Sequence, residues 1–154
     1  MGVYVRMGVL LMIGVCLPGC EPSDDRPGTW LGGELTEFPK DLSFTDDVRE
    51  ISLQVQTPYW IAHSVTIWCA ELNGTLYVGA LEPDSKKWPG WVVESPQVKL
   101  KIAGNVYEAE LVSVSDTQLK KHLAAKYSLK YELPSGSLFE SDPSAVYWSV
   151  KPKP

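Results

Sequence analysis

The sequence predicts a mainly β (α+β) domain, an antiparallel barrel or sandwich of about six strands with two short helices. Three observations predict it. Ile51, Leu53 and Val55 alternate with Ser52, Gln54 and Gln56, and Val98, Leu100 and Ile102 alternate with Lys99 and Lys101. That period of two marks a half-buried strand. Asn73-Gly74 stands between two apolar runs, the strongest short-range hairpin signal, because a type I′ turn needs positive φ at both central residues. Only two helical insertions interrupt the strands, too few to supply the crossover helices of a parallel sheet.

Residues 27–47 are rich in Gly, Pro and Asp and hold Trp30, Leu31, Phe38 and Phe44 at irregular spacing. They read as a lead-in that packs a few aromatics, with one short helix near Pro39–Phe44. The strand pattern sharpens from Val48 and Pro58 ends it. Ser64 to Leu72 is one apolar run rich in β-branched and aromatic residues, and Thr75 to Leu81 is its hairpin partner. Glu82 to Ser95 contains Pro83 and Pro89-Gly90 and is long for a plain loop, so a short or broken helix is expected there. After the strand at Val98–Ile102, Ala103-Gly104-Asn105 turns the chain into Val106–Ser115. The apolar phase of that run changes between Leu111 and Val112, as a bulge or burial on both faces would produce. Asp116 is placed to cap a helix reaching about Tyr127, with Leu119, Leu123 and Tyr127 on one stripe. Pro134-Ser135-Gly136-Ser137 reads as a turn, and Ala145 to Val150 as the last strand.

The amino end is of a different kind. Arg6 precedes an uncharged run from Met7 to Leu17, which closes on Leu17-Pro18-Gly19-Cys20. A cation, a short apolar stretch and a small-residue exit make a secretory signal. The run is too short to span a bilayer, which needs about 20 apolar residues as a helix. Its exit resembles the bacterial lipobox, in which the signal (residues 1–19) is removed and the cysteine takes lipid. The resemblance implies lipidation of Cys20, a membrane contact through that lipid, and a place in the cell envelope. Glu21 rather than aspartate after the cysteine leans toward the outer membrane in Gram-negative sorting. Glu21 to Arg26 reads as a short tether, so that 20–47 form anchor, tether and lead-in and 48–154 the folded domain.

Composition narrows the partners. The chain has 14 Lys+Arg against 19 Asp+Glu, and no stripe of cations tracks a phosphate backbone, so no nucleic acid is expected. Of three cysteines, Cys16 leaves with the signal and Cys20 carries lipid. Cys69 is then alone inside an apolar strand, where a buried, inert thiol is favoured over a reactive one. His63 and His122 lie far apart and no cysteines cluster, so no metal site is expected. Neither histidine has a Ser, Cys or Asp partner at a motif spacing, so no catalytic residue is assigned.

Five stretches from about Val48 to Val150 resemble the flavin split-barrel superfamily, which includes pyridoxamine-phosphate-oxidase-like and deazaflavin-dependent nitroreductase-like proteins. They are His63–Cys69 (HSVTIWC), Asn73–Val78 (NGTLYV), Asp84–Lys87 (DSKK), Ser95–Leu100 (SPQVKL) and Gly104–Ala109 (GNVYEA). The resemblance implies an antiparallel split β-barrel, and a homodimer, because this fold usually sets its site between two subunits. It implies FMN or a deazaflavin as cofactor, with Ser85, Lys86 and Lys87 at the flavin phosphate and Trp60 and Trp68 against the ring. A hydroxyl, cations and backbone N–H groups at a helix start do favour a dianion. Two departures stand against it: Gly79-Ala80 where family members often offer a hydroxyl, and Pro89-Gly90-Trp91 in place of a cation-rich helix. A solvated, charged helix start is an equal reading of Ser85-Lys86-Lys87, and packing or a dimer seam the favoured reading of Trp88 and Trp91.

Two functions follow. One is a lipid-anchored redox module in which a flavin does the chemistry toward a small or quinone-like acceptor. The other is a non-catalytic binding or assembly lipoprotein that keeps the barrel and binds no cofactor.

Overall fold

A computed structural model describes residues 28–134 and 142–153. The signal with Cys20, the tether, and Ser135–Ser137 of the expected turn lie outside the described residues. Seven strands form one antiparallel sheet: β1 (Ile51–Gln56), β2 (Ala62–Ile67), β3 (Cys69–Leu72), β4 (Thr75–Ala80), β5 (Gln97–Ile102), β6 (Asn105–Ser113) and β7 (Val146–Pro152). Helix α1 (Trp88–Glu94) precedes β5 and helix α2 (Thr117–Lys130) follows β6.

The strand order is β2-β1-β5-β6-β7-β4-β3. The two edge strands, β2 and β3, are thus consecutive in the chain with only Trp68 between them. A sheet whose edges are neighbours in sequence must curl until those edges meet. Yet β2 bonds to β1 and β3 to β4, so no ladder closes the seam. The result is a split β-barrel.

The single strand expected over Ser64–Leu72 is therefore two. Its side-chain alternation nevertheless passes through the junction unbroken. Ile67 and Cys69 join the barrel's inner core, while Trp68 and Ala70 join the cluster on the outer face. What changes at Trp68 is the hydrogen-bonding neighbour, and alternation reports only which face a side chain takes.

The inner core is built by alternate residues of every strand, among them Leu53, Val55, Leu76, Val78, Leu100, Ile102, Leu111 and Trp148. A second cluster lies on the outer face beneath α2 and gathers Ala70, Tyr77, Val114, Leu123, Tyr127, Tyr131 and Tyr147. This explains the phase change in β6. Its register with β7 runs without interruption from Ala109↔Pro152 to Ser113↔Trp148, so there is no bulge. Tyr107, Ala109 and Leu111 face the interior and Val114 faces α2, so the chain here is buried on both faces.

Local chemistry sets the rest. Asn73 and Gly74 have φ of 54° and 78°, as the I′ turn requires. The Asp116 carboxylate accepts the Leu119 N–H at 2.7 Å, and α2 runs on to Lys130, past the expected end at Tyr127. The broken helix expected over Glu82–Ser95 is a 3-10 turn at Pro83–Ser85 followed by α1. The helix expected near Pro39–Phe44 is a 3-10 turn at Ser43–Asp47, stitched by the buried Thr45 hydroxyl donating to the Leu42 carbonyl.

The lead-in is a strap across four strands. The Ser64 N–H of β2 donates to the Gly28 carbonyl (2.7 Å), and the Leu31 N–H donates to Gln54 Oε1 of β1 (2.7 Å). Lys101 Nζ of β5 reaches the Gly32 carbonyl (2.8 Å), and Val106 of β6 exchanges bonds with Glu34 and Thr36. Gly33 is needed where the strap meets β6: a Cβ there would lie 2.9 Å from Val106 Cγ2, and φ is +140°.

Candidate functional site

Where a ladder breaks, backbone N–H and C=O groups lose partners and must find others. On one side of Trp68, helix α2 supplies them. The Tyr131 hydroxyl accepts the Cys69 N–H at 3.0 Å, and its own proton reaches the carbonyls of Arg49 (2.7 Å) and Cys69 (2.9 Å). One turn earlier, the Tyr127 hydroxyl lies 3.1 Å from the Tyr77 carbonyl and 3.3 Å from that of Trp68. Lys130 Nζ donates to the carbonyls of Cys69 (2.8 Å) and Thr45 (2.7 Å). The Tyr131 ring stacks on Trp68, centroids 4.1 Å apart and 8° from parallel.

Burial governs the titration of this side. It pushes the Tyr127 phenol well above its usual range, helped by Cys69 and Tyr131, and raises Tyr131 for the same first reason. The Cys69 thiol is also raised by burial, against the opposing pull of Lys130.

On the other side of the junction the break stays open. If the β3–β4 ladder ran on past Cys69↔Val78, then Trp68, Ile67 and Thr66 would face Gly79, Ala80 and Leu81 in turn. Instead Ile67 pairs with Ile51 of β1, and both sets of three residues line a groove of about 290 Å³. Glu50, Lys86 and Trp88 complete the lining. Ligand pockets run from about 300 Å³ upward, so the groove of one chain lies at the small end of that range. Trp88 is held from behind by Trp148, centroids 5.3 Å apart. Gly79 carries no side chain because the Tyr147 ring occupies that space: a Cβ would meet Tyr147 Cδ1 at 3.0 Å. The Tyr147 hydroxyl is buried and has no hydrogen-bond partner among the described residues; burial first, then Asp142, push it up to about 12.

The residues singled out in sequence fall in different places. Trp68 and Lys86 meet at the groove. Trp60 sits at the tip of the β1–β2 loop, 87 % exposed and away from the lining. Ser85 and Lys87 are exposed and also outside it. Ser85 Oγ donates to the Glu82 carbonyl at 2.7 Å, and Lys86 Nζ donates to the Leu81 carbonyl. His63 packs edge-on against Trp91, and His122 is exposed on α2. Among the described residues no three His, Cys, Asp or Glu side chains cluster as metal ligands would. The wall residues Glu50, Thr66, Ile67 and Leu81 carried no signal in the sequence, because only the change of strand partner at Trp68 brings them together.

Residues 41–142 match the family profile DUF2255, described as an uncharacterized protein conserved in bacteria. The chain belongs to the DUF2255 family. No curated protein matches it by sequence. Solved structures share the fold of this DUF2255 chain at low identity. The conserved hypothetical protein Rv2991 from Mycobacterium tuberculosis has a TM-score of 0.63 at 11% identity, covering 77% of this chain and 86% of that one. A candidate pyridoxamine 5'-phosphate oxidase from Listeria innocua has 0.59 at 16%, covering 73% and 90%. The heme storage protein HutZ from Vibrio cholerae has 0.58 at 10%, covering 73% and 88%. These likenesses establish the split-barrel fold.

The residues of one chain fit the two halves of a flavin mononucleotide unequally. A planar ring finds Trp68, Ile67, Ala80 and Leu81 along one groove. A phosphate dianion finds Lys86 alone, with the carboxylate of Glu50 on the same wall. The 3-10 turn uses its own N–H groups, Ser85 N–H to Glu82 and Lys86 N–H to Pro83, and α1 has proline near its start. The groove thus offers apolar side chains to a ring, and to a phosphate only one cation, which already donates to the Leu81 carbonyl.

Proposed function

We propose that this is a lipid-anchored envelope module that holds a planar, flavin-like ring in the split of its barrel, with phosphate adding little to the grip. The observation that carries the proposal is the meeting of Trp68 and Lys86 at a groove walled by the small residues Gly79 and Ala80. Trp68 is pre-set for stacking because Tyr131 already fixes its plane. A flavin or deazaflavin held there would supply electron or hydride transfer, and a lipid on Cys20 would keep it near a membrane-soluble, quinone-like acceptor. A second copy closing the groove would make the homodimer that the resemblance implies. The reading without any cofactor, a binding or assembly lipoprotein, is favoured by one observation: Ser85 and Lys86 spend their polar atoms on the backbone of their own turn.

Titrating the full chain in mild detergent with riboflavin and with FMN, read by tryptophan emission, separates these. The proposal expects both to bind with affinities within about tenfold, ~1.4 kcal/mol, and Lys86→Ala to change either by less than that. FMN binding far more tightly than riboflavin, and losing that advantage in Lys86→Ala, would replace the proposal with a phosphate-anchored site. Binding of neither would leave the cofactor-free reading.

A further inference from the structure

We propose that the loop Tyr59-Trp60-Ile61 is a second membrane contact, seating the domain on the interface of a zwitterionic bilayer beside its lipid anchor. This rests on reading residues 1–20 as a lipoprotein signal. The three side chains are 60 %, 87 % and 55 % exposed and follow one another at the turn between β1 and β2. The loop that holds them in water is built to be stiff. The buried Thr57 hydroxyl donates to the Ile61 carbonyl at 2.6 Å and accepts the Ile61 N–H at 3.1 Å. The Trp60 N–H donates to the Thr57 carbonyl at 3.0 Å, and Trp60 itself takes a left-handed φ of 64°. Tyr59 rests edge-on against Trp91, centroids 6.3 Å apart. A solvent-facing turn would ordinarily place Gly, Asn or Asp at a positive φ. Trp and Tyr belong instead at a membrane–water boundary, where an apolar ring and a polar edge are both satisfied.

The entry point of the tether gives this loop its occupant. The first described residue, Gly28, accepts from Ser64 of β2, three residues past Ile61 and so about 10 Å along the strand. Only residues 21–27 separate Cys20 from Gly28, a reach of at most about 29 Å when fully extended. Lipid on Cys20 therefore holds the edge of the barrel that bears the aromatic loop close to the bilayer, and the exposed Trp30 lies on the strap just inside that entry. The chain's net charge of −5 gives no attraction to anionic lipid, so the contact is aromatic and apolar rather than basic.

The test reconstitutes the full-length protein into phosphatidylcholine vesicles with and without brominated acyl chains, and follows tryptophan emission of wild type and Trp60→Phe. Brominated lipid should quench the wild type, and Trp60→Phe should lose at least half of that quenching. Equal quenching in both proteins, or none in either, overturns the proposal. Mass spectrometry of the same samples reads acylation at Cys20 separately. Acylated protein without quenching removes the loop contact and leaves the anchor. Quenching without acylation supports the loop contact and removes the anchor. A blue shift of Trp60 emission that tracks protein concentration in detergent, without vesicles, would give the loop to a second copy and also overturn the proposal.

Discussion

The two sides of Trp68 meet the same problem, a β-ladder that stops, and meet it differently. Toward α2, the carbonyls of Trp68, Cys69, Arg49 and Thr45 are taken up by Tyr127, Lys130 and Tyr131, all within the last turns of one helix. Toward the groove, Gly79–Leu81 and Thr66–Trp68 face each other with no helix between them among the described residues. The sealed side carries the stability of the junction. The open side is where the proposed ligand would sit without undoing the fold. Function in this barrel is therefore expected where the ladder is left unrepaired, not where polar groups are most numerous.

The largest effect that would sharpen this contrast is expected at high pH. The buried phenols of Tyr127, Tyr131 and Tyr147 are all raised, Tyr147 to about 12. Each stays neutral in the fold while the unfolded chain ionises from about pH 10, so stability is intact below pH 10 and falls as pH rises through the folded values. Denaturation curves combined with tyrosinate absorbance should show these groups ionising only together with unfolding. Early, fully reversible ionisation of all tyrosines would break the picture of a sealed side.

Single substitutions come next. Tyr131→Ala removes the ring stacked on Trp68 and the acceptor for Cys69 N–H, and should cost about 3–5 kcal/mol by urea denaturation. Thr66→Ala, on the groove wall, should stay within about 0.5 kcal/mol. Equal losses would abolish the distinction between the sides. Lys130→Met and Tyr127→Phe each withdraw donors from buried carbonyls and should cost about 1–2 kcal/mol. Tyr147→Phe should have the opposite sign, stabilising by about 1 kcal/mol, because its buried hydroxyl has no partner to lose among the described residues. A loss in Tyr147→Phe matching that in Tyr127→Phe would show that the hydroxyl is satisfied after all. Asp116→Ala should cost about 1 kcal/mol or less through the lost cap on α2.

Much of the fold was legible in the sequence, for reasons visible in particular residues. The alternation at Ile51–Gln56 and Val98–Ile102, the Asn73-Gly74 turn and the Asp116 cap are local signals, and the structure realises each locally. The seam at Trp68 was not legible, because Ile67, Trp68, Cys69 and Ala70 keep one alternation through a change of partner. The sealing network was partly hidden too. The stripe Leu119, Leu123, Tyr127 continues to Tyr131, but nothing local says that its phenols meet the backbone of a strand some sixty residues earlier. Of the candidate site, the sequence pointed to Trp68 and Lys86. It had no means of separating them from Trp60, Ser85 and Lys87, which lie outside the lining of the groove.

The central claim is that the open side of the seam is the ligand site. Hydrogen exchange of the full-length protein in detergent, with and without saturating riboflavin, tests it most directly. The account predicts slowed exchange in segments containing residues 66–68 and 79–81, with the strap at 28–36 unchanged. Protection confined to other segments, or none while riboflavin is bound, would contradict it.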